Sequence, residues 1–203
     1  MSPDALRTKC IEMLVAADDG HPGSVMSLVD FVAGLDLRQR LVISEGHAAM
    51  VVYPILHEMG LITDKDIADF RRPGALLTMF PNKGIPGILC SCGSLGNGIG
   101  YACGLAYADR SPITCIISEG ELYEGATWEA LMFARHYQLN NLRVIVNKND
   151  AIILGKPQDC LDIPWKMLDP FRAEIIQTVK GKGVPAWEGK PSSHYWSRPY
   201  ATA

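Results

Sequence analysis

The sequence predicts an α/β fold with a parallel sheet flanked by helices. Residues 113–117 (ITCII) and 142–146 (LRVIV) are short apolar runs of strand length. An amphipathic stretch of helical length lies between them, and a strand–helix–strand unit of that size joins parallel strands. Each run stops at a polar cluster, Ser118-Glu119-Gly120 and Asn147-Lys148-Asn149. The 203 residues are 48% hydrophobic and 20% charged, which suits one α/β domain with a real core.

Residues 3–17 read as a helix, with Leu6, Cys10, Met13 and Leu14 spaced along one face. Residues 18–23 (DDGHPG) form a tight connector, and Ser24 is placed to cap a second helix reaching about Gly34. A third helix over 47–59 stops at Gly60. Thr63 and Asp66 make a capping box for a short fourth helix. Residues 72–94 are rich in proline and glycine, and a loop of that length inside a compact domain is usually functional. The following helix carries Gly96, Gly100 and Gly104 at four-residue spacing, a stripe that lets another backbone approach, partly across a subunit boundary. Trp128 and Met132, four apart on the next helix, read as core. A last strand near 174–179 leads into Lys180-Gly181-Lys182-Gly183, whose lysines read as a solvated basic loop or an attraction for phosphate. The main domain is placed at 1–184. An irregular tail at 185–203, wrapping a surface or a partner, shows neither helical nor strand period.

The net charge of −3 gives no electrostatic reason to expect nucleic acid or an anionic membrane as partner. No apolar run approaches the length of a membrane span, and the N-terminus lacks signal-peptide features, so a cytoplasmic location is expected. The six cysteines form no Cys-x-x-Cys pair and read as free buried thiols.

The polar clusters ending the two strands carry the functional signal. Open α/β sheets bind ligands at the C-terminal ends of their strands. Glu119 offers a carboxylate and Asn149 an amide oxygen, thirty positions apart. That hard oxygen pair suits a Mg²⁺-type ion, with coordination places left for phosphate and water.

Five ordered blocks then support a specific likeness: GHPGS at 20–24, SEGHAA at 44–49, PG with GSLGNGIG across 86–100, SEGELYEGATWEALMFARHYQLNNL at 118–142, and TVKGKGV at 178–184. Together they resemble the N-terminal, diphosphate-binding half of the transketolase family. The resemblance implies thiamine diphosphate and Mg²⁺ (or Ca²⁺) as cofactors. It implies Glu119, Asn149 and the backbone carbonyl of Ala151 as metal ligands. Gly120 would approach a phosphate through its N–H, and Gly93 and Leu95 would hold the aminopyrimidine. His47 would sit at the diphosphate and the reacting centre, His21 beside the reacting carbon. Glu124 would link two active sites across a dimer, and His194 would match a histidine beyond the Lys-Gly-Lys-Gly segment.

Three departures qualify the likeness. Glu119 and Ser118 replace the family's aspartate and first glycine, and the extra methylene shifts an ion or loop by about 1 Å. Phe80 stands where the family has a histidine that contacts donor hydroxyls, which favours a less polar two-carbon donor. Family segments are absent between Leu35 and Leu41 and between Trp165 and Ala173, as is the whole half that binds the pyrimidine ring. The expectation is one subunit of a split transketolase-like transferase. It would work with a second chain carrying the pyrimidine-binding half, as two copies of each in a heterotetramer. The enzyme would move a two-carbon ketol or acyl unit from a ketose-like or 2-oxo donor to an acceptor such as a carrier-protein thiol in a biosynthetic route. The alternatives are a subunit of a 2-oxo acid dehydrogenase or decarboxylating synthase, and a non-catalytic scaffold.

Overall fold

In a computed structural model, residues 1–197 are described. Helix α1 (Pro3–Ala17) opens at Ser2, whose hydroxyl accepts the Ala5 N–H at 3.2 Å. Its buried face is Leu6, Cys10, Met13 and Leu14, as the spacing requires. Strand β1 (Asp19–Gly20) precedes α2 (Pro22–Ala33). His21, not Ser24, is the N-cap of α2, because Pro22 opens the helix where a missing N–H costs nothing. Ser24 is buried inside the first turn. Strand β2 (Leu41–Ile43) is too short to show a period in the sequence.

The segment expected as one helix over 47–59 has two parts. Residues Gly46–Val52 form a 3₁₀ helix, which runs into α3 (Tyr53–Glu58), and Gly60 ends it at φ 71°. The capping box at Thr63 and Asp66 opens α4 (Asp64–Ala68). Residues 72–94 contain no helix or strand. The chain continues through α5 (Asn97–Asp109), β3 (Ile113–Ser118), α6 (Gly125–His136), β4 (Leu142–Lys148), α7 (Pro157–Cys160), β5 (Glu174–Gln177) and β6 (Trp196–Ser197). Residues 198–203 of the expected tail lie outside the described ones.

Strands β2, β3, β4 and β5 pair in that order, all parallel. Alternate residues of β3 and β4 face opposite layers, so both faces are apolar. Ile116 and Ile145 pack with α1 and α2, while Cys115, Ile117, Val144 and Val146 pack with α5 and α6. A second, two-residue antiparallel pairing joins β1 to β6, Gly20 opposite Trp196. It ties the residue before His21 to the segment that follows His194.

Of the glycine stripe only Gly96 packs within this chain, where a Cβ would lie 3.1–3.3 Å from Glu124, Ala126 and Thr127. Gly96 is the left-handed N-cap of α5 (φ 81°), and a Cβ on Gly100 or Gly104 would meet nothing within 4 Å. The close approach is at Gly98, where a Cβ would lie 2.5 Å from the Ser44 Cα. Met132 is also exposed rather than core, at 55%. With Tyr101, Tyr107, Phe133 and Tyr137 it makes the outer face of α5 and α6 apolar.

Two substitutions on α5 should therefore behave oppositely. In urea unfolding of this chain, Gly98→Val should destabilise by about 2 kcal/mol or more through the clash with Ser44. Gly100→Ala should stabilise by about 0.5–1 kcal/mol, the difference in helix propensity.

Candidate functional site

Ser118 at the end of β3 pairs in register with Asn147 on β4, so Glu119 and Asn149 leave adjacent strand ends. Glu119 is 1% exposed. Its Oε1 accepts the N–H groups of Asn149 (3.0 Å) and Ala151 (3.1 Å). The Asn149 Oδ1 accepts the same Ala151 N–H at 3.2 Å, which brings the two side-chain oxygens to one point. Glu119 Oε2 is buried without a hydrogen-bond partner. Burial pushes the Glu119 carboxyl above the usual carboxylate range, against the two backbone N–H groups that favour its charge.

Three imidazoles converge from three separate parts of the chain. His21 comes from the N-cap of α2, His47 from the 3₁₀ helix at 46–52, and His194 from a 3₁₀ turn at Pro191–His194. Their ring centroids are 5.0 Å (His21–His47), 5.1 Å (His21–His194) and 5.4 Å (His47–His194) apart. His47 Nε2 lies 3.1 Å from the Ser24 hydroxyl, whereas His21 Nδ1 is buried without a partner. Burial and the Lys180 charge depress His21 to about 4 and His194 to about 3. Burial, then the neighbouring imidazoles, lower His47 as well. All three rings are neutral near pH 7.

Of the two readings open for Lys180, the solvated loop fails and a place at the cavity holds. The lysine is 1% exposed, not solvated. Its ammonium donates to the Ala151 carbonyl at 2.9 Å and lies 3.2 Å from His194 Nδ1. Burial lowers its pKa to about 8, against the upward pull of Glu45 and Glu119. The signal was Gly23. A Cβ there would lie 2.9 Å from Lys180 Cγ and 2.4 Å from Ser193 Oγ, so a glycine admits both the lysine and the tail. Glu45 is an unanticipated member. It is fully buried, and the Asn147 amide donates to it at 3.1 Å.

These side chains line one cavity of about 260 Å³. It gathers His21, His47, His194, Gly93, Leu95, Glu119, Gly120, Asn149 and Ala151, together with Ser24, Glu45, Phe80, Ile152, Ile153 and Lys180. Glu124 lies outside this lining, exposed at the N-cap of α6. The buried carboxylate of that segment is Glu121, which accepts the Ser118 N–H at 2.8 Å and the Gly96 N–H at 3.0 Å. Phe80 is 41% exposed at the cavity, its ring 6.4 Å from that of His21.

The cavity suits a hard cation holding a phosphate group. The donors are oxygens, and one carboxylate oxygen is buried with nothing to bind. The Ala151 carbonyl already accepts Lys180, and its second lone pair remains for a metal. A Cβ on Gly120 would meet nothing closer than 3.7 Å, so the chain's own packing does not require this glycine. A ligand approaching its backbone would.

A parallel sheet with a carboxylate and an amide at adjacent strand ends, and three imidazoles on the same cavity, fits an α/β domain that binds a cofactor. Comparison with known proteins narrows this. Residues 2–167 match the family model described as transketolase, thiamine diphosphate binding domain. The chain is 34% identical to transketolase-like protein 2 of Mus musculus, over 92% of this chain and 39% of that protein. It is 30% identical to transketolase of Homo sapiens, over 93% and 38% respectively. The crystal structure of transketolase from Campylobacter jejuni superposes with a TM-score of 0.85 at 25% identity, covering 96% of this chain and 39% of that one. Transketolase from Leishmania mexicana shares the fold, with a TM-score of 0.86 at 22% identity over 96% of this chain and 38% of that one. The chain belongs to the transketolase family, through its thiamine diphosphate binding domain. It spans about two fifths of the length of the curated relatives it matches. The alignment to the mouse protein runs over 243 positions, more than the 203 of this chain, so that relative carries internal residues absent here. Among the described residues no helix is long and apolar enough to cross a membrane.

The depressed imidazoles set a pH dependence with a definite sign. Between about pH 6.5 and 4 the unfolded chain binds a proton at His21 that the folded chain refuses, so this term lowers stability as pH falls. His21→Gln should lose that term. The stability of the wild type relative to the variant, measured by denaturant unfolding, should decline from pH 6.5 to pH 4. Imidazole NMR should show His21 titrating near pH 4.

Proposed function

We propose that this chain is one subunit of a thiamine-diphosphate-dependent transferase that moves a two-carbon ketol or acyl unit. The observation carrying this reading is the buried, unpartnered Oε2 of Glu119, whose Oε1 shares the Ala151 N–H with Asn149 Oδ1, in a cavity that also holds three neutral imidazoles. Glu119, Asn149 and the Ala151 carbonyl would hold Mg²⁺. Gly120 and Lys180 would face the diphosphate, and Gly93 and Leu95 the aminopyrimidine. When bound, thiamine diphosphate supplies a nucleophilic ring carbon and an electron sink for the carbanion left after carbon–carbon cleavage. The chain's own residues orient and protonate. Neutral His21, His47 and His194 can each donate from one ring nitrogen and accept at the other, which suits proton traffic at substrate oxygens. Ser24 fixes the His47 ring. Lys180 supplies positive charge to the diphosphate end of the cavity.

Phe80 sets the donor. Its ring borders the cavity and cannot donate a hydrogen bond, so hydroxyls there lose hydration without compensation. A less polar ketose-like or 2-oxo donor fits better. A second chain would supply the pyrimidine-binding half. Exposed Phe80, Ile153, Leu154 and Tyr195 give it apolar surface near the site, and the outer face of α5 and α6 offers a second contact. Glu124, exposed at the start of α6, would then reach across a subunit boundary in a heterotetramer. The assembly is placed in the cytoplasm.

The test is reconstitution with a partner chain carrying the pyrimidine-binding half. Two-carbon transfer should require thiamine diphosphate and Mg²⁺, and Glu119→Gln should lower kcat/KM by about 100-fold. Phe80→His should raise the use of hydroxylated ketose donors by about tenfold relative to less polar ones. Carbon dioxide release from pyruvate without transfer would instead assign a decarboxylating enzyme. Absence of cofactor binding by the assembled pair would assign a scaffold.

A further inference from the structure

Cys90 and Cys92 face each other across Ser91, with their sulfurs 3.1 Å apart. Both side chains are 3% exposed, yet Ser91 between them is exposed, and the segment belongs to no helix or strand. Neither thiol has a part in the transfer reaction. The gap exceeds a disulfide bond by about 1 Å.

The pair also touches the cavity. The Cys92 carbonyl oxygen lies where a Cβ on Gly46 would be, 2.2 Å from that position, immediately before His47. Gly93 and Leu95, which follow Cys92, line the cavity. A bond that pulls Cys92 toward Cys90 therefore strains the contact under His47 and the cavity wall together.

We propose that Cys90 and Cys92 form a peroxide-oxidised dithiol whose disulfide closure weakens cofactor binding. The Cys90 thiolate attacks one oxygen of the hydroperoxide. A sulfur–oxygen bond forms, the oxygen–oxygen bond breaks, and the leaving oxygen takes a proton to depart as water (alcohol, for an organic hydroperoxide). The Cys92 sulfur then attacks the sulfenic sulfur. The disulfide forms, the sulfur–oxygen bond breaks, and the Cys92 proton leaves with the second oxygen as water. Two thiols lose two electrons and one peroxide gains them. The 3.1 Å S···S contact places the two sulfurs for either to attack the other's sulfenic acid.

The effect on binding rests on the cofactor assignment above, whereas the disulfide does not, and the experiment separates them. The full chain carrying Cys160→Ser, which removes the one exposed cysteine among the described residues, is treated with hydrogen peroxide, unfolded and alkylated. The peptide holding residues 90–92 should be lighter than its reduced form by about 2 Da, unalkylated, and restored by dithiothreitol. Further substitution Cys92→Ser should leave Cys90 as a trappable sulfenic acid. Alkylation of both thiols after peroxide treatment would overturn the proposal. Calorimetry with thiamine diphosphate and Mg²⁺ should show affinity about tenfold weaker in the oxidised than the reduced protein, with recovery on reduction. Equal affinities would overturn the coupling while leaving the disulfide. No binding by the reduced protein would remove the cofactor assignment and the coupling, and the mass shift would still decide the disulfide.

Discussion

The Glu119 carboxylate is the constraint on which the site depends. It divides its two oxygens between two tasks. Oε1 binds the backbone of Asn149 and Ala151 and so fastens the end of β3 to the turn after β4. Oε2 is left buried with nothing to bind. A buried carboxylate oxygen without a donor costs free energy in the isolated chain, and a divalent cation there would recover it. The extra methylene of glutamate is compatible with this division, because the side chain reaches across the strand ends and still presents an oxygen beside Asn149. On geometric grounds the departure from aspartate leaves room for the proposed metal.

Around that carboxylate the electrostatics are set for an anion that brings a cation with it. Glu45 and Glu119 are buried, Lys180 is the buried ammonium between their fields, and three imidazoles stay neutral. Burial is the leading cause of every one of these shifts. Lys180 alone cannot balance a diphosphate and the Glu119 carboxylate. A divalent cation at Glu119 and Asn149 would reduce that imbalance, and a diphosphate would in turn favour the charged forms of Lys180 and the histidines. Binding of the anion and the protonation of its surroundings are therefore linked in this cavity.

Much of the fold was legible because local signals agreed with one another. The α1 face, the Thr63–Asp66 capping box and strands β3 and β4 rest on periods and caps within single segments. Nine of the ten anticipated site residues meet in one cavity, since the polar residues ending adjacent parallel strands are neighbours by topology. What was hidden depends on pairs distant in sequence. The β1–β6 pairing spans two residues on each side, too short for any pattern, yet it draws His194 toward His21. For Lys180 the sequence left open a solvated loop or an attraction for phosphate, because a lysine between a strand and glycines is usually solvated. Only the space left at Gly23 shows that the lysine turns inward. The Gly96/Gly100/Gly104 stripe had the right spacing for close packing, but only Gly96 packs closely, against the start of α6, while Gly100 and Gly104 face open space. Met132 was assigned inward by helical spacing from Trp128, whereas it joins the exposed aromatic face of α5 and α6.

The central claim is that Glu119 and Asn149 share one divalent cation that holds a diphosphate. Anomalous diffraction from crystals grown with Mn²⁺ and thiamine diphosphate tests it most directly. A single manganese peak within about 2.2 Å of both Glu119 Oε2 and Asn149 Oδ1, with a phosphate oxygen completing its coordination, is the predicted result. Manganese bound elsewhere, or a diphosphate seated with no metal between it and these two side chains, would contradict it.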